Sequence, residues 1–202
     1  MRHDCRVAEG YLKGRIRRED IITTAVSVYA EAGYHGSSLR EIARRSGITH
    51  AGLLYYFPTK EALLAAVLER RDSEDTEREH LAVPPGLDAL RHLIALAAHN
   101  VQHPGIVDVY ARLAAEAVAA EHPAHDYFER HYKMARDYAV ASFQVLAERG
   151  ELRPGVDPAY AGLNLVALMD GLQVQWLSGG GAVDLVGALR SYLESLLAVP
   201  LG

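Results

Sequence analysis

Apolar residues along this chain of 202 residues recur at steps of three and four, which is the period of an amphipathic helix. Ile22, Ala25 and Tyr29 lie on the first such stripe, which predicts a helix at roughly 15–32. Gly33 follows it, as glycine commonly does just past a helix end. No alternation of apolar and polar residues that would indicate strands extends over a useful length. The pattern therefore predicts an all-α fold of about nine helices.

Hydroxyl residues mark the starts of three further helices in the first part of the chain. Ser38 is followed three residues later by Glu41, which is the spacing of a capping box. Thr49 begins the next helix, and Pro58 ends it because the residue before a proline is pushed out of the helical region. Thr59 caps a fourth helix, which is apolar on one face at its start and highly charged near its end.

Proline and glycine divide the rest of the chain, and the sequence Pro-Pro-Gly near residue 85 is the clearest break. Five longer helices are predicted after it, at about 86–102, 105–121, 123–149, 157–178 and 182–198.

Charged residues are unevenly distributed along the chain. Residues 1–60 carry ten Lys and Arg against six Asp and Glu, whereas residues 61–202 carry eleven against twenty. The excess of basic residues in residues 1–60 of an otherwise acidic protein suggests that only this first part of the chain binds an anion. The single cysteine, Cys5, excludes an internal disulfide and fits a reducing cytoplasm, where we expect the protein to act. Neither a membrane span nor a secretory signal is apparent, so no membrane partner is expected.

The second and third helices are joined by about three residues that include a glycine, which is the spacing of a helix-turn-helix. In that motif the second helix enters the major groove of DNA. His50, Ala51 and Gly52 are small or polar and leave room there for base edges. The helix starts present free N–H groups to phosphates, and Arg44 and Arg45 add positive charge nearby.

Adjacent aromatic residues close the third helix, which is too short to bury all of them. Leu53, Tyr56 and Phe57 share one arc and are predicted to pack on the first helix. Tyr55 then points outward, where its hydroxyl can reach a phosphate. The alternative is that Tyr55 is an ordinary surface tyrosine.

The stretch "AGYHGSSLREIARRSGITHAGLLYYFPTKEALL" carries a resemblance to a known family. Residues 15–64 resemble the DNA-binding domain of the TetR family of bacterial transcriptional regulators, of TetR/AcrR type. Many relatives carry a tyrosine where this chain has Leu54, so the phosphate contact is expected at Tyr55 instead. The DNA-binding residues that the resemblance implies are Ser38, Arg40, Thr49, His50, Ala51, Gly52, Tyr55 and Lys60.

The resemblance also implies an organisation and a function. We expect a flexible tail at 1–14, a helix-turn-helix DNA-binding domain at 15–58, a connecting helix at 59–80, and a larger helical domain at 81–202 for ligand binding and dimerisation. The implied function is a ligand-responsive regulator of transcription, most often a repressor that a small molecule releases from a palindromic operator.

Two apolar stripes in the last helices predict a homodimer that packs as a four-helix bundle. The alternative is that both stripes are buried inside one subunit. The predicted dimer residues are Leu165, Leu168, Met169, Leu172, Trp176, Leu185, Leu189, Tyr192 and Leu196.

Aromatic and polar residues on otherwise apolar faces are the candidates for an inducer pocket, although each could instead fill the core. They favour a largely apolar inducer with a few polar anchors, and no cofactor is expected. The predicted ligand residues are His99, Tyr110, Phe128, His131, Met134 and Gln173.

Metal sensing is the sharpest alternative to a purely organic ligand. His99 and His103 are four residues apart, and His122 and His125 are three apart, spacings that can hold zinc. Neither pair has a Glu-His or Cys partner nearby in sequence, so no metal site is predicted.

An enzyme and a helical interaction protein are the other classes of function. The chain has no phosphate-cradling glycine loop, no Gly-x-Ser-x-Gly and no His-Glu-x-x-His, so no catalytic residues are predicted. Weak DNA binding that does not depend on salt would favour an interaction protein, and turnover of a bound compound would favour an enzyme.

Overall fold

A computed structural model describes residues 2–78 and 83–202, with side chains for residues 14–70 and 83–202. Those residues form nine helices and no strand, which confirms the all-α prediction. The chain divides into two compact units, Met1–Glu77 (unit 1) and Arg78–Gly202 (unit 2). Within the described ranges, none of the helices has the length and apolar character of a membrane-spanning segment.

Unit 1 contains the four helices expected near the start of the chain. They are α1 (Arg2–Gly36), α2 (Leu39–Arg45), α3 (His50–Tyr56) and α4 (Lys60–Arg78). Helix α1 differs from the expectation because it begins at Arg2, whereas we had assigned residues 1–14 to a tail. The early segment contains no proline, the residue that most strongly opposes a helix, and α1 continues through Gly10 and Gly14. Gly33 has a φ of 68°, which kinks the end of α1.

The core of unit 1 draws on all four helices. Its fully buried side chains include Ile21, Ile22, Tyr29, Ile42, Leu53, Leu63 and Leu64. The guanidinium of Arg70 on α4 donates a hydrogen bond of 2.7 Å to the Thr23 hydroxyl on α1. The short helices α2 and α3 are therefore held by tertiary packing, because seven-residue helices are not stable alone.

Unit 2 contains the five longer helices. They are α5 (Leu87–Gln102), α6 (Pro104–Glu116), α7 (His125–Glu148), α8 (Pro158–Ser178) and α9 (Leu185–Leu196). Helix α6 ends about a turn earlier than expected, because residues 117–124 form turns. The backbone N–H of Ala124 donates to His122 Nδ1 at 3.2 Å within those turns, which stabilises them in place of a continued helix.

Helices α7 and α8 approach each other closely at Gly162. A Cβ atom added to Gly162 would lie 2.6 Å from the backbone nitrogen of Val140 and 2.7 Å from its Cγ2. A hydrogen side chain at position 162 is thus what allows the two helix backbones to meet. Phe143, Leu146, Leu189 and Leu193 fill the core beside this crossing.

We expect Gly162→Ala to destabilise unit 2 by about 1–3 kcal/mol, because the methyl group would push against backbone atoms that cannot move alone. Gly105→Ala in α6 is the matched control, since a Cβ there meets nothing within 4 Å. The control should leave the free energy of unfolding unchanged or raise it by up to about 1 kcal/mol. Denaturant unfolding followed by circular dichroism measures both, and equal effects would show that the close approach does not constrain the fold.

Candidate nucleic-acid interface

Three helix starts in unit 1 are capped by hydroxyl side chains. The hydroxyls of Ser38, Thr49 and Thr59 each accept a hydrogen bond from the backbone N–H three residues later, at 3.2, 3.0 and 3.1 Å. The predicted starts of α2, α3 and α4 are therefore confirmed. Each cap satisfies one N–H group and leaves the others of that first turn to water or to a ligand.

Helix α3 presents a nearly uncharged outer face. His50 and Ala51 are exposed at its start, and Tyr55 is 83% exposed near its end. Leu53 and Phe57 are buried, so the predicted outward direction of Tyr55 is confirmed. Tyr56 is only partly buried, which differs from the expected core position. The Tyr55 ring meets the Tyr56 ring edge to face at 5.3 Å.

Arg44 and Arg45 on α2 are bound to carboxylates of their own unit. The Glu41 carboxylate accepts hydrogen bonds of 2.8 and 2.7 Å from Arg44 and one of 2.7 Å from Arg45. Arg45 also donates to Glu31 at 2.7 Å. Hydrogen bonds from Arg44 and then Arg45 lower the pKa of Glu41 to about 2, so this carboxylate stays ionised at neutral pH. The charge that we had assigned to phosphate binding is thus largely neutralised, whereas Arg40 is exposed.

Lys60 binds the turn between α1 and α2. Its ammonium donates a hydrogen bond of 2.7 Å to the Ser37 carbonyl and lies 4.3 Å from the centroid of the Tyr34 ring. The Tyr34 hydroxyl donates to the Glu61 carboxylate at 3.1 Å. Burial, and next this hydrogen bond, raise the pKa of Tyr34, so the phenol remains protonated. A phosphate contact by Lys60 stays a prediction, and it would have to use the remaining ammonium protons.

Two family models match the chain over these units. Residues 21–67 match the model described as bacterial regulatory proteins, tetR family. Residues 87–198, more than half of the chain, match the model described as BetI-type transcriptional repressor, C-terminal. The chain belongs to the TetR family of bacterial regulatory proteins. The resemblance drawn from the sequence is therefore confirmed, and the TetR family is one of transcriptional regulators.

Individual relatives agree with this assignment. The chain is 26% identical over 180 residues to the A-factor receptor protein of Streptomyces griseus, covering 88% of this chain and 61% of that protein. It is 26% identical over 191 residues to the regulator BetI of Burkholderia ambifaria, covering 91% of this chain and 95% of that protein. A transcriptional regulator from Saccharomonospora viridis, solved in complex with choline, superposes with a TM-score of 0.74. Its identity is 24%, with 90% of this chain and 98% of that chain covered, and this likeness shows the fold.

Three of the six residues predicted to bind a ligand come together in unit 2 of this TetR-family protein. The ring centroid of Tyr110 lies 4.8 Å from that of Phe128 and 5.3 Å from that of His131. Tyr127 and Tyr132 also belong to this aromatic cluster. We had not named them because neither lies on the apolar face of α7 that the sequence periodicity indicates.

The other three predicted ligand residues have different surroundings. Met134 is 65% exposed, and Gln173 is buried on α8. His99 stacks on His103 with centroids 4.0 Å apart and planes 18° apart.

The histidine pairs make backbone contacts rather than a shared ligand set. His103 Nδ1 donates to the His99 carbonyl at 3.0 Å, and His125 Nδ1 donates to the Ala117 carbonyl at 2.9 Å. His125 also lies with Asp126 and Glu129, and one ligand atom from each is within 4.8 Å of the others. His122 Nε2 lies 3.6 Å from the Glu116 carboxylate, so each histidine of this pair has acidic neighbours of its own.

The predicted dimer residues are largely covered by their own chain. Leu168, Met169, Tyr192 and Leu196 are partly buried. The five that are fully buried in the core of unit 2 are Leu165, Leu172, Trp176, Leu185 and Leu189.

The apolar residues that α8 exposes lie on its other side. Tyr160 is 67% exposed, Leu163 46% and Val174 52%. A helix that is apolar all round has more than one stripe, so the dimer residues named from the sequence stay a prediction beside this second stripe.

We expect His50→Ala and Tyr55→Phe to change DNA binding in different ways. His50 is exposed at the start of α3, so its loss should relax discrimination at one base position by about 1–3 kcal/mol. Loss of the Tyr55 hydroxyl should weaken binding to all duplexes by the same factor, because a phosphate contact carries no sequence information. Binding to a panel of single-base operator variants measures both. Indistinguishable profiles would show that this division of roles is wrong.

Proposed function

We propose that this protein is a transcriptional repressor that binds a palindromic operator and releases it when a small molecule binds unit 2. The observation that carries the proposal is the start of α3, where His50 and Ala51 are exposed directly after the Thr49 cap. Such a start can enter the major groove with its side chains at base edges while its N–H groups face phosphate. We further propose that the protein acts in the cytoplasm and has no catalytic activity.

A homodimer is part of the proposal, and the exposed side of α8 supports it. Tyr160, Leu163 and Val174 give this helix exposed apolar residues on one side, and Asp170 is the one charged residue of the helix. A second copy offers the same stripe, so a two-fold interface would cover both at once. Two-fold symmetry of the protein then requires two inverted half-sites in the DNA.

The aromatic cluster of Tyr110, Phe128 and His131 is the proposed ligand region. Rings at these distances offer apolar faces to a largely apolar compound, and His131 offers a polar anchor. Aromatic faces also bind quaternary ammonium groups. Choline, which the regulator from Saccharomonospora viridis binds, is therefore one compound to test alongside apolar candidates.

Selection of bound duplexes from a random pool tests the operator. We expect an inverted repeat whose half-sites are about one helical turn apart, 34–36 Å, or a longer spacing in phase with the turn. Recovery of single half-sites, or of no sequence at all, would contradict the proposal.

The interface is tested by Leu163→Glu with Val174→Glu. The double variant should sediment as a monomer at micromolar concentration and lose most of its operator affinity, because charged residues would face each other across the stripe. Val118→Glu, at another exposed apolar residue of unit 2, is the matched control and should remain dimeric. A wild-type monomer at that concentration would exclude the proposed dimer.

Control by ligand is tested by reciprocity. Compounds that copurify with the protein are identified by mass spectrometry and titrated, with choline, in the presence and absence of operator. A coupling of about 1–3 kcal/mol lowers operator affinity about 5–150-fold, and the operator must lower ligand affinity by the same factor. Equal ligand affinity in both titrations would leave a DNA-binding protein without allosteric control.

A further inference from the structure

Helix α1 extends well beyond the part of unit 1 that matches the family model. The match begins at residue 21, whereas α1 begins at Arg2. The additional helix of some 19 residues is about 28 Å long at 1.5 Å per residue. We call residues 2–20 the helical extension.

The helical extension carries a net positive charge. Residues 2–20 contain six Lys and Arg and four Asp and Glu, a net charge of +2. Residues 21–60, which include α2 and α3, contain four Lys and Arg and two Asp and Glu, also a net charge of +2, over about twice the length. The positive charge that favours a polyanion is therefore denser in the extension than in the rest of this region.

Most cations of the helix-turn-helix are also bound within unit 1. Arg44 and Arg45 pair with carboxylates, and Lys60 binds the Ser37 carbonyl. In the extension, the side chains of Arg15 and Arg17 are exposed to solvent.

The last residues of the extension lie beside the end of α3. The Arg18 guanidinium lies 5.2 Å from the centroid of the Phe57 ring, and Phe57 is the C-cap of α3. Phe57 precedes by two residues the Thr59 cap of α4, one of the helix starts suited to phosphate. Arg15 lies one helical turn before Arg18, so it is close to the same edge of unit 1.

We propose that the helical extension is a second DNA-contacting element, in which Arg15 and Arg17 bind backbone phosphates next to the base pairs that α3 reads. This inference rests on the proposed function. Arginine suits the role because its planar guanidinium can bind phosphate oxygens in pairs. A membrane surface is the other large polyanion, but residues 2–18 contain only three large aliphatic residues, Val7, Leu12 and Ile16, too few for an apolar face.

The test is Arg15→Gln with Arg17→Gln in the full chain. The association constant is measured against salt concentration on a random-sequence duplex of about 40 base pairs and on a duplex selected with the wild type. Each lost phosphate contact should reduce the log–log salt slope by about 0.9, or about 1.8 per protomer for the pair. The association constants for the two duplexes should fall by the same factor, because phosphates carry no sequence information.

The matched control is Arg130→Gln with Arg136→Gln on α7, which makes the same change in net charge in unit 2 and should leave the slope unchanged. Thermal unfolding of the Arg15/Arg17 variant should match the wild type, since both side chains are exposed.

An unchanged slope in that variant, with normal wild-type binding, would overturn this inference and leave the proposed function standing. Failure of the wild type to bind any selected duplex would overturn both. Weaker binding of the variant to phosphatidylserine vesicles, with an unchanged DNA slope, would assign the extension to a membrane and overturn the inference.

Discussion

The hydrogen bond from the Lys60 ammonium to the Ser37 carbonyl joins the two ends of the segment that contains α2 and α3. It connects the residue after the Thr59 cap to the residue before the Ser38 cap, so the starts of α4 and α2 are held in one arrangement. The Tyr34 ring beneath the ammonium adds about 0.5–2 kcal/mol of cation–π attraction. The buried Ser37 hydroxyl completes the turn with a bond of 2.6 Å to the Tyr34 carbonyl. Helices of seven residues cannot hold such an arrangement alone, so the orientation of α2 depends on this contact together with the burial of Ile42 and Ala43.

The paired charges on α2 suggest how this unit would bind DNA. Glu41 fixes both Arg44 and Arg45, and α3 itself carries no Lys or Arg. Attraction by a general positive field is therefore weak at the helix-turn-helix. Binding there depends on positioned groups instead, namely the N–H groups of the helix starts, exposed hydroxyls and His50. Positioned contacts lose much of their strength when misplaced, so the short hydrogen bonds of the turn, 2.7 Å from Lys60 and 2.6 Å from Ser37, serve binding by keeping the helix starts in place.

Local features of this chain were predictable from the sequence, and features that depend on distant contacts were not. The caps at Ser38, Thr49 and Thr59 follow from residue type and spacing over three positions. The outward direction of Tyr55 follows from the arc that Leu53 and Phe57 occupy. The partner of Lys60 lies 23 residues away, and the periodicity of α4 contains no information about it. Periodicity likewise shows that Leu165 and Leu189 are buried, but it cannot show whether their own subunit or a second one covers them.

Under the proposed function, both sides of helix α8 make packing contacts. The contact of α8 with α7 could then couple ligand binding to the dimer interface. One side packs in the core, and the exposed stripe of Tyr160, Leu163 and Val174 would meet a second copy. At Gly162 the backbone of α8 lies against Val140 of α7, and the glycine has no side chain that could absorb a movement. Helix α7 also carries Phe128 and His131 of the proposed ligand region. Packed backbones shift as units, so a ligand that displaces α7 must move α8 with it and change the geometry of the dimer.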